Sequence, residues 1–265
     1  MVFSFRKMWA LVQRHGLLLW RDTNMKLSHF YWPLRDVMVW GFLGSWIQQS
    51  QPGQFYNYQV LALLGVLLWQ TSCRCAIVLS LTFVEELWAH NLVNLFTLPV
   101  SLIEWMCGVT LYTMIISSIV GVYYVALIYL FQEHSFWSIA AIYFTFAPPL
   151  FIAGLWLAFV CLLFISYFGK RAQELLYVIP WFFAPFSTAF YPLETLPLWA
   201  QRISYFLPMS YVFEGMRAHL VRQQPYGIYL AKGYALALLY TFIAVIAFIF
   251  VFNKSKNKGL ARLSD

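Results

Sequence analysis

The sequence predicts an all-α, polytopic membrane protein that forms a single transmembrane domain over residues 1–265. The chain is 62% hydrophobic and 10% charged, with a mean hydropathy of +0.69, whereas soluble domains carry about a quarter charged residues. The apolar runs are continuous over about twenty residues or more and do not alternate with polar residues, which favours helices over barrel strands. Lipid must therefore replace water as the solvent of much of the surface.

Six transmembrane helices are predicted from these apolar runs. The third and fourth runs are longer than the hydrocarbon core requires, which predicts tilted, kinked or extended helices. Pro148 and Pro149 lie within the fourth run and predict a kink there. The predicted spans are 31–50, 58–81, 102–131, 136–167, 173–190 and 229–252.

The first 26 residues are predicted to form an interfacial helix. Apolar residues recur at helical spacing from Phe5 to Trp20, and basic residues such as Arg6, Arg14 and Arg21 lie mostly opposite them or flank them. Tryptophan and basic side chains anchor such helices in the headgroup layer. The alternative is a simple extension of the first span, but the polar segment 21–26 interrupts the apolar pattern and favours a separate helix.

Residues 83–98, between the second and third spans, predict a short amphipathic helix. Pro99 stops this helix because it lacks an N–H donor and restricts the residue before it. Ser101 and Glu104 then form a capping-box pattern at the start of the next helix. One face is apolar and packs on the spans, and we place these residues on it: Val84, Leu87, Trp88, Leu92 and Leu95. The opposite, polar face carries Glu85, Glu86, Ala89, His90, Val93 and Asn94.

The basic residues predict that both termini are cytoplasmic. Lys and Arg precede or open the first span, lie between the fourth and fifth, and follow the sixth in a basic tail over 253–265. The connections 48–57 and 132–135 contain neither Lys nor Arg. The long loop 191–228 then faces outside, and its three arginines are the exception to the rule.

The outer loop 191–228 is predicted to form a re-entrant helical hairpin. Pro192, Pro197 and Pro208 can each open a helix at its first turn. The resulting helices are too short to cross a membrane, but they are apolar enough to dip into it when they pack on protein. A disordered loop is the alternative, and the aromatic content of the segment argues against it.

Charged residues within the apolar runs mark a candidate inner mouth: Arg35, Asp36, Arg74 and Glu104. Intramembrane charges are costly and suggest function. Two arrangements of Arg74 stay open, a pair with Glu104 or a side chain that snorkels to the interface. The sequence places no charge near the midplane, which argues against a proton-coupled secondary transporter.

No catalytic or metal-binding residues are predicted. The five histidines and four cysteines lack metal-ligand spacing, and there is no phosphate-binding loop of the Gly-x-x-x-x-Gly-Lys-Ser/Thr type. Because the basic residues flank membrane spans, they indicate anionic lipid rather than nucleic acid as a partner. Tyr123, Tyr124 and Tyr143 could line a substrate path, although ordinary packing against lipid is the simpler interpretation.

Taken together, these segments resemble the membrane subunit of type-2 ABC exporters, over essentially the whole chain. The similarity includes the N-terminal helix, the segment Asn94–Ser101 that ends at Pro99-Val-Ser, and the stretch Pro208–Arg217 before the sixth span. The segment Tyr31–Gly41 is similar to the first-span signature of a bacterial subgroup of such permeases. No single motif is diagnostic, but their order and spacing together are specific.

The resemblance implies a non-catalytic permease of the cell inner membrane that pairs with a second permease, expected to be identical. Two copies of a separate ATPase would bind ATP and Mg²⁺, so this chain needs no cofactor of its own. The helix over 83–98 would be the coupling helix, which meets the ATPase through Glu85, Glu86, His90, Asn91 and Asn94. The prolines of the outer hairpin, with Glu214 and Arg217, would form a gate.

The expected substrate is amphipathic, either a lipid-linked glycan or a hydrophobic drug. The alternatives are a membrane-embedded enzyme and a secondary transporter without an ATPase. The enzyme would need polar residues that converge at one depth, and the transporter would need a repeated broken-helix pattern in the two halves. Neither pattern is visible in the sequence.

Overall fold

The computed structural model describes residues 4–50, 58–132, 135–260 and 263. Within these ranges the chain forms ten α-helices, short 3-10 turns and no strand. Predictions that involve residues 1–3, most of the connection 48–57, His134 and most of the tail beyond 260 lie outside the described residues. The helices are α1 Phe5–Arg21, α2 Thr23–Ser50, α3 Tyr58–Trp88, α4 Leu92–Thr97, α5 Leu102–Gln132, α6 Phe136–Phe168, α7 Leu175–Phe183, α8 Leu198–Ser204, α9 Pro208–Leu220 and α10 Gly227–Asn257.

The N-terminal helix is separate from the first predicted span, as the polar interruption indicated. Asp22 has extended backbone angles between α1 and α2, and its carboxylate accepts a hydrogen bond of 2.8 Å from the backbone N–H of Asn24. The separate helix ends at Arg21 and not at residue 26, because residues 23–26 already form the first turn of α2. The side chains of Phe5, Trp9 and Trp20 are exposed, as expected of a helix at a membrane interface.

Four helical segments are long and apolar enough to cross a membrane: Gln59–Trp88, Leu102–Phe131, Phe136–Ala172 and Gly227–Asn257. They correspond to four of the six predicted spans. The prediction for 31–50 falls on α2, which has sufficient length but carries more polar side chains. The prediction for 173–190 falls on α7 and a 3-10 turn, a shorter apolar segment over Leu175–Phe186. α6 continues without a break through Pro148 and Pro149, and the kink predicted there stays a prediction.

The core of the bundle is built on α3 and α6, which pack along each other, and α10 also packs along α6. Gly154 of α6 allows the close approach to α3. A Cβ atom at this position would lie 2.5 Å from the backbone oxygen of Ser72 and 2.7 Å from the Cβ of Cys75. The sequence contains no Gly-x-x-x-Gly pair, the usual sequence signal of such a contact. A single glycine is enough here because α3 presents its backbone directly to it.

The predicted helix over 83–98 is wrong as a single element. Residues 83–88 are the end of α3, and α4 is only Leu92–Thr97. The apolar repeat at Phe83, Val84 and Leu87 continues in phase with the buried face of α3, so the long helix extends through it. The chain then turns at His90, which has a positive φ of 51°.

The segment 191–228, which we call the outer segment after its predicted location, forms short helices, and its prolines stand at helix or 3-10 turn starts as predicted. Pro208 is the first residue of α9, and Pro197 directly precedes α8. Pro192 precedes a 3-10 turn over Leu193–Thr195. Proline suits these positions because the first turn of a helix leaves its N–H groups without intrahelical partners.

Candidate functional site

The turn between α3 and α4 presents an exposed, mixed surface. Trp88 is 47% exposed, Val93 42% and Leu98 55%, and the polar side chains of His90 and Asn94 are exposed between them. We call these five residues, with Ala89 and Thr97, the α3–α4 surface. Large apolar side chains grouped with polar ones at such exposure mark a candidate interaction surface.

The opposite side of this element packs into the bundle. Leu92 and Leu95 are each 3% exposed. The ring of Phe96 lies 4.9 Å from that of Phe252 in α10 and 6.3 Å from that of Trp105 in α5. α4 is therefore packed directly against α5 and α10, two of the helices that are long and apolar enough to cross a membrane.

Trp88 does not lie on the buried face to which the sequence assigned it. Its indole Nε1–H donates a hydrogen bond of 2.8 Å to the side-chain oxygen of Gln173, in the turn between α6 and α7. The prediction for Val84, Leu87, Leu92 and Leu95 on that face is confirmed. Trp88 differs because it belongs to the last turn of α3 and not to an independent amphipathic helix.

Glu86 was predicted to be on the exposed polar face, and this is wrong, because it is only 2% exposed. Its Oε1 lies 2.6 Å from Nη2 of Arg14 in α1, and its Oε2 accepts a 2.7 Å hydrogen bond from Asn91. Glu86 is therefore a link between α1 and the α3–α4 turn. Glu86 and Asn91 were both among the residues predicted to contact the ATPase. Helical periodicity could not identify Arg14 of α1 as the partner of Glu86.

Glu85 and Asn91 are also less available than predicted. Glu85 is half-buried and lines a small space of about 20 Å³ together with His15 and Tyr112. Asn91 is half-buried and donates its amide N–H to Glu86. Of the five residues assigned to ATPase contact, only His90 and Asn94 are exposed.

Glu104 forms the predicted capping box. Its carboxylate accepts a 2.8 Å hydrogen bond from the backbone N–H of Ser101, and its own N–H donates to the Ser101 hydroxyl at 3.2 Å. The other carboxylate oxygen accepts from the backbone N–H of Ser4 at 2.9 Å and lies 3.4 Å from Lys7 Nζ. The side chain is fully buried.

A pair between Arg74 and Glu104 does not form, because Glu104 is occupied by α1. Nη1 of Arg74 instead approaches the backbone oxygen of Ser28 in α2 at 3.4 Å. α1 is thus held by two buried carboxylates, Glu86 near its middle and Glu104 at its start. These contacts combine α1, the α3–α4 turn and the start of α5 into one structural unit.

His15 lies on the buried face of α1 and is 2% exposed. Its ring centroid is 5.4 Å from that of Tyr112 in α5, and its Nε2 has no hydrogen-bond partner among the described residues. Burial lowers the pKa of His15 from 6.5 to about 4, against a smaller opposing effect of Glu86. The imidazole is therefore neutral at pH 7, and this titratable group at the α1–α5 contact was not predicted from sequence.

Asp36 is the centre of a second buried polar cluster. Its Oδ2 accepts hydrogen bonds from Gln70 at 2.7 Å and from the hydroxyl of Tyr124 at 2.5 Å, and its Oδ1 accepts one from Nε of Arg35 at 3.1 Å. Asp36 is 1% exposed. The sequence placed Arg35, Asp36, Arg74 and Glu104 at one inner mouth and predicted no pair between Arg35 and Asp36. The structure brings Arg35, Asp36 and Gln70 into contact and keeps Glu104 apart.

The position of these charges along the helices differs from the prediction. Arg74 was placed near the end of its span and Asp36 in the first turns of its own. Because α2 starts at Thr23 and α3 continues to Trp88, both residues lie near the middle of their helices. A mid-helix position does not fix depth in a bilayer, so the expectation that no charge lies near the midplane stays a prediction.

The three tyrosines proposed for a substrate path have different surroundings. Tyr124 is 2% exposed and Tyr143 is 3% exposed, and both pack inside the bundle. Tyr143 lies directly beside Gly121 of α5, where a Cβ would come within 2.0 Å of its hydroxyl. Tyr123 is half-buried, with its ring 5.3 Å from that of Phe30. Tyr124 has a defined polar partner in Asp36.

A third buried cluster joins the elements of the outer segment. The carboxylate of Glu214 in α9 lies 2.8 Å from Arg217 and 2.5 Å from Arg222, and it accepts a 3.1 Å hydrogen bond from the backbone N–H of Leu193. Arg217 also donates to the backbone oxygen of Thr188. Glu214 and Arg217, both predicted as gate residues, are thus in direct contact, and Arg222 is an additional partner.

The sequence matches the profile of the ABC-2 type transporter family over residues 6–221. A comparison with proteins of curated description found none that matches. The matched range covers most of the chain, including α1, the α3–α4 surface and all of α9. The chain therefore belongs to the ABC-2 type transporter family, as a multi-pass transmembrane permease component.

Proposed function

We propose that this chain is the membrane subunit of an ATP-driven exporter of the cell inner membrane and that it works as a homodimer with two copies of a separate ATPase. In this arrangement α2 and the Leu175–Phe186 segment complete a set of six spans, and both termini are cytoplasmic. ATP and Mg²⁺ bind only to the partner. The α3–α4 surface carries this proposal, because its exposed apolar and polar side chains form a compact docking patch.

The contacts of the α3–α4 turn suggest how ATPase movement would reach the spans. Leu92 and Leu95 transmit a displacement of the patch to the bundle, and Trp88 transmits it to the turn before α7 through Gln173. Glu86 connects the same turn to Arg14 of α1. α1 continues into α2 after the single residue Asp22, so the first and second spans would move together.

In this proposal the docking residues differ from those read from the sequence. His90 and Asn94 contact the ATPase directly, together with Trp88, Val93 and Leu98. Glu85, Glu86 and Asn91 hold the docking element in place from below. The outer hairpin, closed by Glu214 and Arg217, is the gate on the opposite side.

The substrate is expected to be amphipathic, a lipid-linked glycan or a hydrophobic drug. Support comes from the composition of the helices, which offer mostly apolar and aromatic side chains and few charges. The buried Asp36 cluster places strongly polar groups between α2, α3 and α5.

Co-purification with candidate ABC ATPases tests the proposal. Val93→Asp should abolish co-purification, because it places a charge in the centre of the α3–α4 surface. Leu198→Asp is the matched control, since Leu198 is 75% exposed in α8, outside this surface. Retention of the ATPase by Val93→Asp would reject this surface as the docking site. If the unaltered protein neither binds nor stimulates any candidate ATPase, the function itself is rejected.

A further inference from the structure

A cavity of about 320 Å³ lies on α3 between α2 and α7. Its wall includes Arg35 from α2, Arg74 and Gln70 from α3, and Trp181 from α7. This volume is at the lower end of the range of about 300 to 1,000 Å³ typical of small-molecule sites. It can hold a headgroup or a short substituent, but not a whole lipid.

The charges around this cavity do not balance. Arg35 is paired with Asp36, whose carboxylate is also shared by Gln70 and Tyr124. Arg74 forms no ion pair with a carboxylate of the described residues. It interacts with Asp36 electrostatically and with the side chain of Tyr124 by a hydrogen bond, but neither contact supplies a negative charge that Arg35 does not already share. The cavity wall therefore carries one net positive charge, in a region where an unmatched charge is costly.

Two polar nitrogens of the wall also lack hydrogen-bond partners among the described residues. One is Nε of Arg74, and the other is Nε2 of His29. His29 is 8% exposed, and its Nδ1–H donates to the backbone oxygen of Met25 at 2.7 Å. Its Nε2 is then an acceptor. Arg74 supplies donors and a positive charge, so the pair suits an oxyanion that also carries a hydroxyl group.

The entrance to the cavity is aromatic. Trp32, Tyr177 and Trp181 line it and are 43%, 45% and 48% exposed. Arg35 lies over the ring of Trp32, with 4.4 Å from the guanidinium carbon to the ring centroid. Aromatic rings with one apolar and one polar side suit the boundary between a headgroup and its alkyl chain.

We propose that this cavity binds the phosphate group of an amphipathic molecule, with Arg74 as the main anion-binding residue and the alkyl portion leaving between Trp32 and Trp181. The proposal rests on the proposed export function, because it names the class of substrate: an alkyl or polyprenyl phosphate, with or without an attached headgroup. Arg35 contributes less, since its charge is already neutralised by Asp36.

Equilibrium binding of radiolabelled dodecyl phosphate to the full-length protein tests this site. The protein is purified and immobilised in dodecyl maltoside, which carries the same alkyl chain as the probe. Because this neutral chain is in excess, specific binding of the probe reports on its phosphate group. Arg74→Gln should weaken binding about tenfold or more, the loss expected when a charge-assisted hydrogen bond is removed. Arg74→Lys keeps the charge and should retain most of the affinity. Arg171→Gln is the control, because Arg171 is an exposed arginine outside the cavity.

Three results would overturn the proposal. The first is equal binding by Arg74→Gln, in a preparation that is monodisperse and as thermally stable as the unaltered protein. The second is displacement of the label by inorganic phosphate as effectively as by unlabelled dodecyl phosphate, which would mean a free-oxyanion site. The third is no binding above the level of empty micelles. Because no ATPase is present, these results are independent of the co-purification test, in which Arg74→Gln should behave like the unaltered protein.

Discussion

Arg14 of α1 and Glu86 at the end of α3 form an ion pair of 2.6 Å that joins two segments far apart in the sequence. Glu86 is buried and Arg14 is only partly so, with 37% of its side chain exposed. Asn91 completes the set of partners of the carboxylate at 2.7 Å. The N-terminal helix is therefore fixed to the turn that carries the proposed docking surface.

Removal of this ion pair should lower the free energy of unfolding and reduce the stimulation of the partner ATPase. In a double-mutant cycle with Arg14→Gln and Glu86→Gln, we expect an interaction energy of about 1 kcal/mol, because the exposure of Arg14 screens part of the attraction. The measurement is thermal unfolding of the purified protein, followed by ATPase stimulation in the complex. Gln13→Ala, on the exposed face of α1, is the control and should leave both unchanged. Strict additivity of the two substitutions would contradict the proposed link.

The contact between α1 and α5 should weaken in acid. The pKa of His15 is lowered to about 4 by burial, whereas its ordinary value is 6.5. The unfolded chain thus binds a proton more readily between these values, and the stability contributed by neutral His15 is complete above pH 6.5 and is lost as the pH falls towards 4. The total loss is about 3 kcal/mol, and about 2 kcal/mol of it is reached by pH 5.

Melting temperatures of the purified protein between pH 7.5 and 5 measure this effect. His15→Gln should flatten the profile, because it removes the titrating group. His90→Gln changes an exposed histidine and should leave the slope as it is. A His15→Gln profile as steep as that of the unaltered protein would show that another group is responsible.

Gly154 should tolerate no side chain. An added Cβ would lie 2.5 Å from the backbone oxygen of Ser72, so α3 and α6 would have to separate. Overpacking of this kind typically costs about 1 to 3 kcal/mol. Thermal unfolding of Gly154→Ala measures the cost. Gly16→Ala is the matched control: no atom lies within 4 Å of a Cβ there, and alanine should maintain or improve helix stability.

The outer segment should loosen when Glu214 loses its charge. Glu214→Gln leaves Arg217 and Arg222 without their carboxylate and weakens the acceptor for the backbone N–H of Leu193. We expect faster amide hydrogen exchange at Leu193 and in the first turn of α9, because the cluster holds these elements together. Glu174→Gln alters an exposed carboxylate outside this segment, and exchange at Leu193 and in α9 should then match that of the unaltered protein. Unchanged amide hydrogen exchange in Glu214→Gln would show that the Glu214 carboxylate does not hold these elements together.

Much of the fold could be predicted from composition and local rules. Hydropathy identified the four long apolar helices, and the polar interruption after Arg21 separated α1 from α2. The Ser101–Glu104 capping box depends only on residues three apart, and it formed as predicted. These features follow from short-range geometry, which the sequence contains in full.

The candidate site was less predictable in two respects: which face of the helix each side chain occupies, and which residues far away in the sequence it contacts. Periodicity gave the buried face of Val84, Leu87 and Leu92 correctly. It placed Glu86 and Trp88 on the wrong sides, because it treated the end of α3 as an independent surface helix. Glu86 is inside because Arg14 reaches it there, and Trp88 is outside because Gln173 accepts its N–H.

By itself, the sequence determined that this protein is a helical membrane protein, where its main helices lie and to which family of transporters it is similar. Hydrophobicity and helix capping depend on residues close together in the sequence, so they can be recognised before the fold is known. The tertiary structure decided which charges meet: Glu104 with Lys7 instead of Arg74, Asp36 with Gln70 and Tyr124, and Glu86 with Arg14. It also leaves Arg74, in the wall of the aromatic-lined cavity, without an ion pair to any of the described carboxylates. The physical reason is that a buried charge is stabilised by the partners that packing brings to it, and these come from other helices.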